Sequence, residues 1–215
     1  YLENNMKKTS INKYINYLEI MFNQLINLKK WAQDNPVKAI KPLKTKELER
    51  RHLSTEEIKE LLEKLEQSRN KSAVKITKIC LATGARWSEV ENLTKSQVGN
   101  DRITFINTKG GRNRTVPLSS ELCEELKNNS NEQLFRKSYH IFRRTLKKCS
   151  FKVRDNQASH VLRHTFATYF IANGGNILAL KEILGHSDMK MTMIYAQYSP
   201  EHLEQAKTLN PLTIL

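Results

Sequence analysis

His160-Val161-Leu162-Arg163-His164-Thr165-Phe166-Ala167, followed by Leu184-Gly185-His186 and then Ile194-Tyr195, is the stretch around which this chain is organised. His160, Arg163 and His164 recur at i, i+3 and i+4, which puts them on one face of a helix. Leu162, Phe166 and Phe170, at helical spacing on another face, seat that helix in a core. The next helix reads Ile177 to Leu184 and stops at Gly185, a residue suited to a left-handed helix end. His186 then falls just past a helix terminus. Ser187 or Asp188 caps a short following helix with Met189, Met193 and Ile194 as its apolar positions, and that helix delivers Tyr195. The stretch gathers a guanidinium, up to three imidazoles and a phenol, without a carboxylate cluster to hold a metal.

An arginine fork suits a phosphate, because it offers parallel N–H donors and stays charged at any working pH. A second arginine, Arg86, lies in Thr83-Gly84-Ala85-Arg86-Trp87-Ser88-Glu89-Val90. Gly84 breaks one helix there, and Ser88 with Glu91 forms a capping box for the next. Arg86 is thereby held in a tight inter-helix turn, with Glu89 close enough to orient it. Two arginines, two histidines and a tyrosine hydroxyl suit one reaction well. The tyrosine attacks a phosphodiester in line while the cations neutralise charge developing on the phosphorane oxygens.

The 215 residues suffice for one full domain and a fragment of another, and a chain that begins at Tyr1 reads as an excised piece of a longer protein. An excess of 36 Lys+Arg over 22 Asp+Glu, a net charge of +14, favours a polyanionic partner over a merely soluble basic protein. Cys80, Cys123 and Cys149 are odd in number, far apart and form no CxxC pair, which disfavours both a disulfide scaffold and a zinc site. No signal peptide or bilayer-length apolar run is present, so the expected compartment is the cytoplasm, with no membrane partner.

Residues 1–41 read as helical and basic, with Ile11, Ile15, Leu18, Phe22, Leu25, Ile26 and Leu28 forming one packed face. Asp34-Asn35-Pro36 breaks that pattern, and Pro36 opens a short new turn. Residues 42–52 form a basic linker; Lys41 just before it, and Lys44 and Lys46 within it, either contact phosphates or decorate a solvated tether. Ser54-Thr55-Glu56-Glu57 is a capping box opening a helix through Leu65, and helix signals resume from Ala73 to Thr83. Asp101 to Ile106 reads as a strand, Lys109 to Asn113 as a turn, and Arg114 to Leu118 as the returning strand, held to an edge by Pro117. Ser119-Ser120 caps a helix through Leu126. Gln133 to Cys149 reads as another, whose polar face carries Lys137, Arg143, Arg144, Lys147 and Lys148 for solvation or for phosphate contact. After a polar loop over Ser150 to Ser159, Ser199 and Pro200 open a last helix, and the apolar ending Leu212-Thr213-Ile214-Leu215 needs a surface in cis or on a neighbour. The expected fold class is mainly α with a small antiparallel β-sheet (α+β).

Four segments in order, TGARWSEVENL from Thr83, TKGGRNRTVPL from Thr108, HVLRHTFAT from His160 and NGGNILALKEILGHSDMKMTMIYAQYSPEHL from Asn173, make the chain resemble the tyrosine recombinases, and within them the integrases of temperate bacteriophages. The resemblance implies the DNA breaking-rejoining fold: residues 1–41 as the C-terminal remnant of a core-binding domain, 42–52 as the linker, and 53–215 as the catalytic domain with its tail. It implies Tyr195 as nucleophile rather than the nearby Tyr198, leaving a 3′-phosphotyrosine, with Arg86 and Arg163 as the phosphate clamp. His160 and His186 are the implied proton-transfer partners, while His164 is structural and Glu89 supports Arg86. Lys109 is the implied general acid, against the plainer reading of a hairpin lysine on a phosphate, and Arg112 and Arg114 grip the DNA backbone.

The implied activity is site-specific recombination at double-stranded DNA attachment sites, for integration and excision, with no metal, ATP or other cofactor. The implied assembly is a homo-oligomer, tetrameric in the synaptic complex, with the C-terminal tail docked either on a neighbouring protomer or in cis. A DNA-bending accessory protein and a directionality factor are further expected partners. Two alternatives remain: relaxation like that of a type IB topoisomerase, and a helical DNA-binding regulator without catalysis.

Overall fold

The chain, in a computed structural model, is described over residues 6–44, 50–106, 113–128 and 131–199. It forms two compact units, Tyr1–Glu49 and Arg50–Leu215.

In the first unit α1 (Lys8–Asn27) ends ahead of the expected break at Asp34-Asn35-Pro36. Lys29 takes a left-handed conformation (φ 53) just past the helix end, and Trp31 packs edge-on against Phe22 with ring centroids 5.0 Å apart. Downstream, Pro36 withholds a backbone donor and disfavours helix at Asn35. Asn35 instead fixes the returning chain to α1: its amide donates to Glu19 O (3.0 Å) and Asn23 Oδ1 (2.8 Å), and its Oδ1 accepts from Val37 N (2.9 Å). Of the predicted apolar face, Ile11, Ile15, Phe22, Leu25 and Ile26 are half-buried, whereas Leu18 and Leu28 are exposed.

The second unit opens with α2 (Thr55–Glu66). Its N-terminus carries the expected capping box: Ser54 Oγ accepts from Glu57 N (3.3 Å) and Glu57 Oε2 accepts from Ser54 N (3.0 Å). Next comes α3 (Ser72–Thr83), with seven of its twelve residues buried, whose Thr77 and Thr83 hydroxyls donate to the carbonyls of Ala73 and Ile79. A buried hydroxyl without a partner would be costly, and these back-bonds remove that cost. The short α4 (Trp87–Glu91) leads to β1 (Arg102–Phe105) and β2 (Arg114–Pro117), paired antiparallel with Ile103 opposite Val116 and Phe105 opposite Arg114. With two strands among the described residues, both are edges, and Pro117 costs no interior ladder bond.

The remaining helices are α5 (Ser120–Lys127), α6 (Tyr139–Leu146), α7 (Val161–Ala172), α8 (Ile177–Leu184) and α9 (Lys190–Met193), followed by a 3-10 turn at Ala196–Tyr198. The helix expected from Gln133 to Cys149 is thus only α6. Gln133 bridges Thr94 and Leu134 N bonds Leu93 O (3.2 Å), so the chain is extended there. The buried Glu91 carboxylate then accepts from Ser138 N (2.8 Å) and Tyr139 N (3.1 Å), which sets where α6 begins. This also corrects the expected Ser88/Glu91 capping box: Ser88 lies inside α4, and Glu91 at its end caps a different helix.

The core lies where α3 packs on α7, with α2, α4 and α6 around it and Trp87 stacked on Phe142 at 4.6 Å. All three cysteines are free and buried. A second apolar cluster joins Ala167 and Ile171 of α7 to Leu180 and Leu184 of α8, and it includes the ring of Tyr195. Among the described residues no helix is long and apolar enough to cross a membrane.

Candidate active site

Two helix ends build the site. α3 stops at Gly84 (φ 64) and α8 at Gly185 (φ 66), both left-handed. A Cβ at Gly84 would also run into Phe166 and Leu184, so the close approach of these ends requires glycine there. The orphan carbonyls of such ends attract cations. Arg163, 4 % exposed, donates from Nη1 to Gly84 O (2.9 Å) and from Nη2 to Leu184 O (2.6 Å). Burial, then the charges of Arg86 and Arg114, pushes its pKa down to about 10, which leaves it charged at neutral pH.

Arg86 is the N-cap of α4, and Glu89 reaches back to it. Oε2 accepts from Arg86 N (2.7 Å) and Oε1 from Arg86 Nη1 (2.9 Å), so Glu89 holds both the backbone and the side chain of Arg86. Arg114 departs from expectation. Its guanidinium forks the same carboxylate, Nη1 to Oε1 at 3.0 Å and Nη2 to Oε2 at 2.7 Å, while Nε donates to Ile183 O (2.9 Å). Its side chain is 7 % exposed against 24 % for Arg86, so Arg114 is a buried internal partner rather than a grip on a DNA backbone. Burial resists ionisation of Glu89, but the hydrogen bonds and charge of Arg114, joined by Arg86, outweigh it and hold the carboxyl at about 2.

His186, past the end of α8, shares a hydrogen bond with Thr192 Oγ1 (2.8 Å). Burial, then Arg163, Arg86 and Arg114, lowers its pKa to about 4, so it is neutral at pH 7. His160 is the exposed N-cap residue of α7, its ring centroid 6.2 Å from that of His164. His164, expected to be only structural, has Nδ1 2.6 Å from the Tyr195 hydroxyl. Burial, then His160 and Arg50, lowers its pKa to about 4.

Tyr195 is 3 % exposed, and burial pushes its pKa up to about 12 against the pull of Arg163 and Arg50. The phenol is therefore protonated and held inside. Tyr198 is half-buried, edge-on to His52 at 5.4 Å. Neither Ser187 nor Asp188 is the N-cap of α9: Met189 holds that position without a side-chain cap bond, and Asp188 Oδ1, one residue earlier, accepts from Lys190 N (2.9 Å).

Arg86, Arg163, His186, His164 and Tyr195 thus act on one another electrostatically in one neighbourhood. Sequence reasoning missed the His164–Tyr195 contact and Arg50, whose charge acts on both partners of that contact. Lys46, Lys109, Arg112 and the tail from Pro200 lie outside the described residues. Lys41 and Lys44 are exposed in the first unit. On the basic face, Arg143 and Lys147 both pair with Asp155 (3.2 Å each), while Arg144 is exposed. Among the described residues no three His, Cys, Asp or Glu side chains converge on a metal position, and the arginines carry the positive charge of the site.

The chain is similar to known proteins over most of its length. The Phage integrase family model matches residues 51–202, and the Phage integrase, N-terminal domain model matches residues 1–44. The integrase of Escherichia phage 186 is 45 % identical over 212 residues, covering 97 % of this chain and 63 % of that protein. The integrase of Haemophilus phage HP1 is 46 % identical over 207 residues, covering 96 % and 61 %. The chain therefore spans about three fifths of the length of these relatives. The solved catalytic domain of bacteriophage HP1 integrase superposes with a TM-score of 0.71 at 50 % identity, over 75 % of this chain and 96 % of that one. The Tn1549 transposon integrase, solved in complex with transposon right end DNA, shares the fold (TM-score 0.77, 22 % identity, 96 % of this chain and 80 % of that one). With both family models, close phage relatives and the recombinase catalytic fold in agreement, the chain belongs to the phage integrase family of tyrosine recombinases.

Proposed function

We propose that the protein is a site-specific DNA recombinase that integrates and excises DNA through a 3′-phosphotyrosine intermediate. The observation that carries this reading is the convergence of Arg86 and Arg163 on the neighbourhood of Tyr195 at two adjoining helix ends. Tyr195 Oη attacks the scissile phosphorus, the bond to the 5′ oxygen breaks, and the enzyme keeps the 3′ phosphate. The 5′ hydroxyl of the partner strand then reverses the step. Bond energy stays in the covalent link, so ATP is not needed, and the arginines supply the charge stabilisation that a metal would otherwise bring. His160 and His186 take part in proton transfer, and Lys109 protonates the departing 5′ oxygen. Because Tyr195 is buried with its hydroxyl on His164, it must leave that pocket before it attacks.

In the same reading residues 1–41 are the remnant of a core-binding domain, 42–52 its linker and 53–215 the catalytic domain. The partners are double-stranded attachment sites and further copies of the chain, four in the synapse, with tails exchanged, assisted by a DNA-bending protein and a directionality factor in the host cytoplasm. No observation favours relaxation alone, or an inert regulator, over recombination.

The test is covalent trapping on nicked duplexes in EDTA, with wild type, Tyr195→Phe and Tyr198→Phe compared by denaturing gel and peptide mass. An adduct on Tyr195, lost only in Tyr195→Phe, supports the reading. An adduct on another residue, or cleavage that EDTA abolishes, refutes it.

A further inference from the structure

Arg114 is buried on β2, its guanidinium 4.7 Å from the Phe105 ring centroid, and each of its three donor nitrogens has a partner: the two oxygens of Glu89 and the carbonyl of Ile183. A carboxylate offers about four acceptor positions. At Glu89 four donors fill them: Arg114 Nη1 and Nη2, Arg86 Nη1, and Arg86 N. Arg86 therefore gives only one side-chain nitrogen to Glu89, and the more exposed of the two guanidiniums is the one held by a single such bond.

The end of α8 completes the arrangement. Ile183 O takes Arg114 Nε and the next carbonyl, Leu184 O, takes Arg163 Nη2, so one helix terminus registers both buried arginines. Gly185 lets Arg114 lie this close, since a Cβ there would stand 3.0 Å from its Cδ.

We propose that Arg114 is a positioning residue of strand cleavage: by filling half of the Glu89 carboxylate and tying it to the end of α8, it leaves the Arg86 fork directed at the scissile phosphate. The proposal rests on the recombinase reading. Without Arg114, the vacated Glu89 oxygens draw Arg86 into a bidentate pair and off the phosphate. Lysine cannot replace it, because a single ammonium does not reach both oxygens and the carbonyl in a fixed fork.

The experiment uses a nicked duplex selected by the wild-type chain from a randomised pool, with its scissile position either an ordinary phosphodiester or a neutral methylphosphonate. Wild type, Arg114→Lys and Arg114→Gln are compared in single-turnover cleavage at saturating DNA, with melting temperatures measured alongside. On the phosphodiester the variants are expected to cleave about 100-fold more slowly, the scale of a misplaced catalytic group. On the methylphosphonate, which has no anionic oxygen for Arg86 to neutralise, they come within about threefold of wild type. Arg114→Lys, which keeps charge and stem, carries the test if Arg114→Gln does not fold. Equal losses on both substrates, as a purely structural role would give, or wild-type rates on the phosphodiester, overturn the proposal alone. A wild-type chain that forms no adduct on any selected duplex overturns the recombinase reading, and this proposal with it.

Discussion

The Nδ1 atom of His164 and the hydroxyl of Tyr195, 31 residues apart in the chain, lie 2.6 Å from one another and join α7 to the segment that follows α9. The imidazole is neutral and the phenol protonated, so the phenol donates and Nδ1 accepts. His164→Ala strands a buried hydroxyl and is expected to destabilise the chain by about 1–3 kcal/mol. Tyr195→Phe removes the hydroxyl and leaves only a half-buried imidazole unpaired, for about 1 kcal/mol. Urea unfolding of both single variants and the double variant measures the coupling, and purely additive losses would show that the contact contributes nothing.

The same groups make the fold sensitive to acid. His164 and His186 drop from 6.5 to about 4 on folding, so between those values the unfolded chain binds more protons than the folded one. Their contribution is complete above pH 6.5 and is lost as pH falls toward 4. Glu89, depressed from 4.5 to about 2, adds a second loss as pH falls through that lower window. Urea midpoints are expected to decline from pH 7 to pH 4.5, with a shallower decline in His186→Gln. A midpoint flat over that range would contradict the buried neutral histidines.

Gly185 and Gly174 both have positive φ, 66 and 83, yet they differ in surroundings. An added Cβ meets Arg114 Cδ at 3.0 Å in the first case and nothing within 4 Å in the second. Gly174→Ala is expected to cost only the left-handed backbone penalty of about 1–2 kcal/mol. Gly185→Ala adds a push on Arg114 and slows DNA cleavage about 10-fold or more, because that push propagates to Arg86. Thermal melts and trapping rates on the two variants separate the effects.

DNA affinity of so basic a chain is expected to fall steeply with salt. Arg144→Ala, which removes an exposed cation, lowers the slope of log K against log salt by about 1. Arg143, already donating to Asp155 at 3.2 Å, changes it less when replaced. Fluorescence anisotropy at several salt concentrations reads both slopes, and equal changes would mean that the Asp155 pairing does not persist on DNA.

Features read correctly from the sequence depend on neighbours within a few residues. The Ser54–Glu57 capping box, the span Ile177–Leu184 with its Gly185 stop, and the Gly84 break are local backbone events. α6 was overestimated because helical periodicity continues past points where a distant partner intervenes: Glu91 and Thr94 claim the backbone before Tyr139. Arg114 was read as a DNA contact because a basic residue in a hairpin of a basic chain gives no local sign of a buried carboxylate partner.

The sequence by itself determined the glycine helix stops at Gly84 and Gly185, the pairing of β1 with β2, and the inventory of arginines, histidines and tyrosines from which the chemistry follows. The tertiary structure alone decided which of these meet. Arg114 pairs with Glu89 across 25 residues, Tyr195 with His164 across 31, Arg114 with Ile183 across 69 and Arg163 with Gly84 across 79. Spacing cannot reveal such pairs, because a buried charge or hydroxyl must find its partner wherever packing brings one, and packing is set by the whole chain.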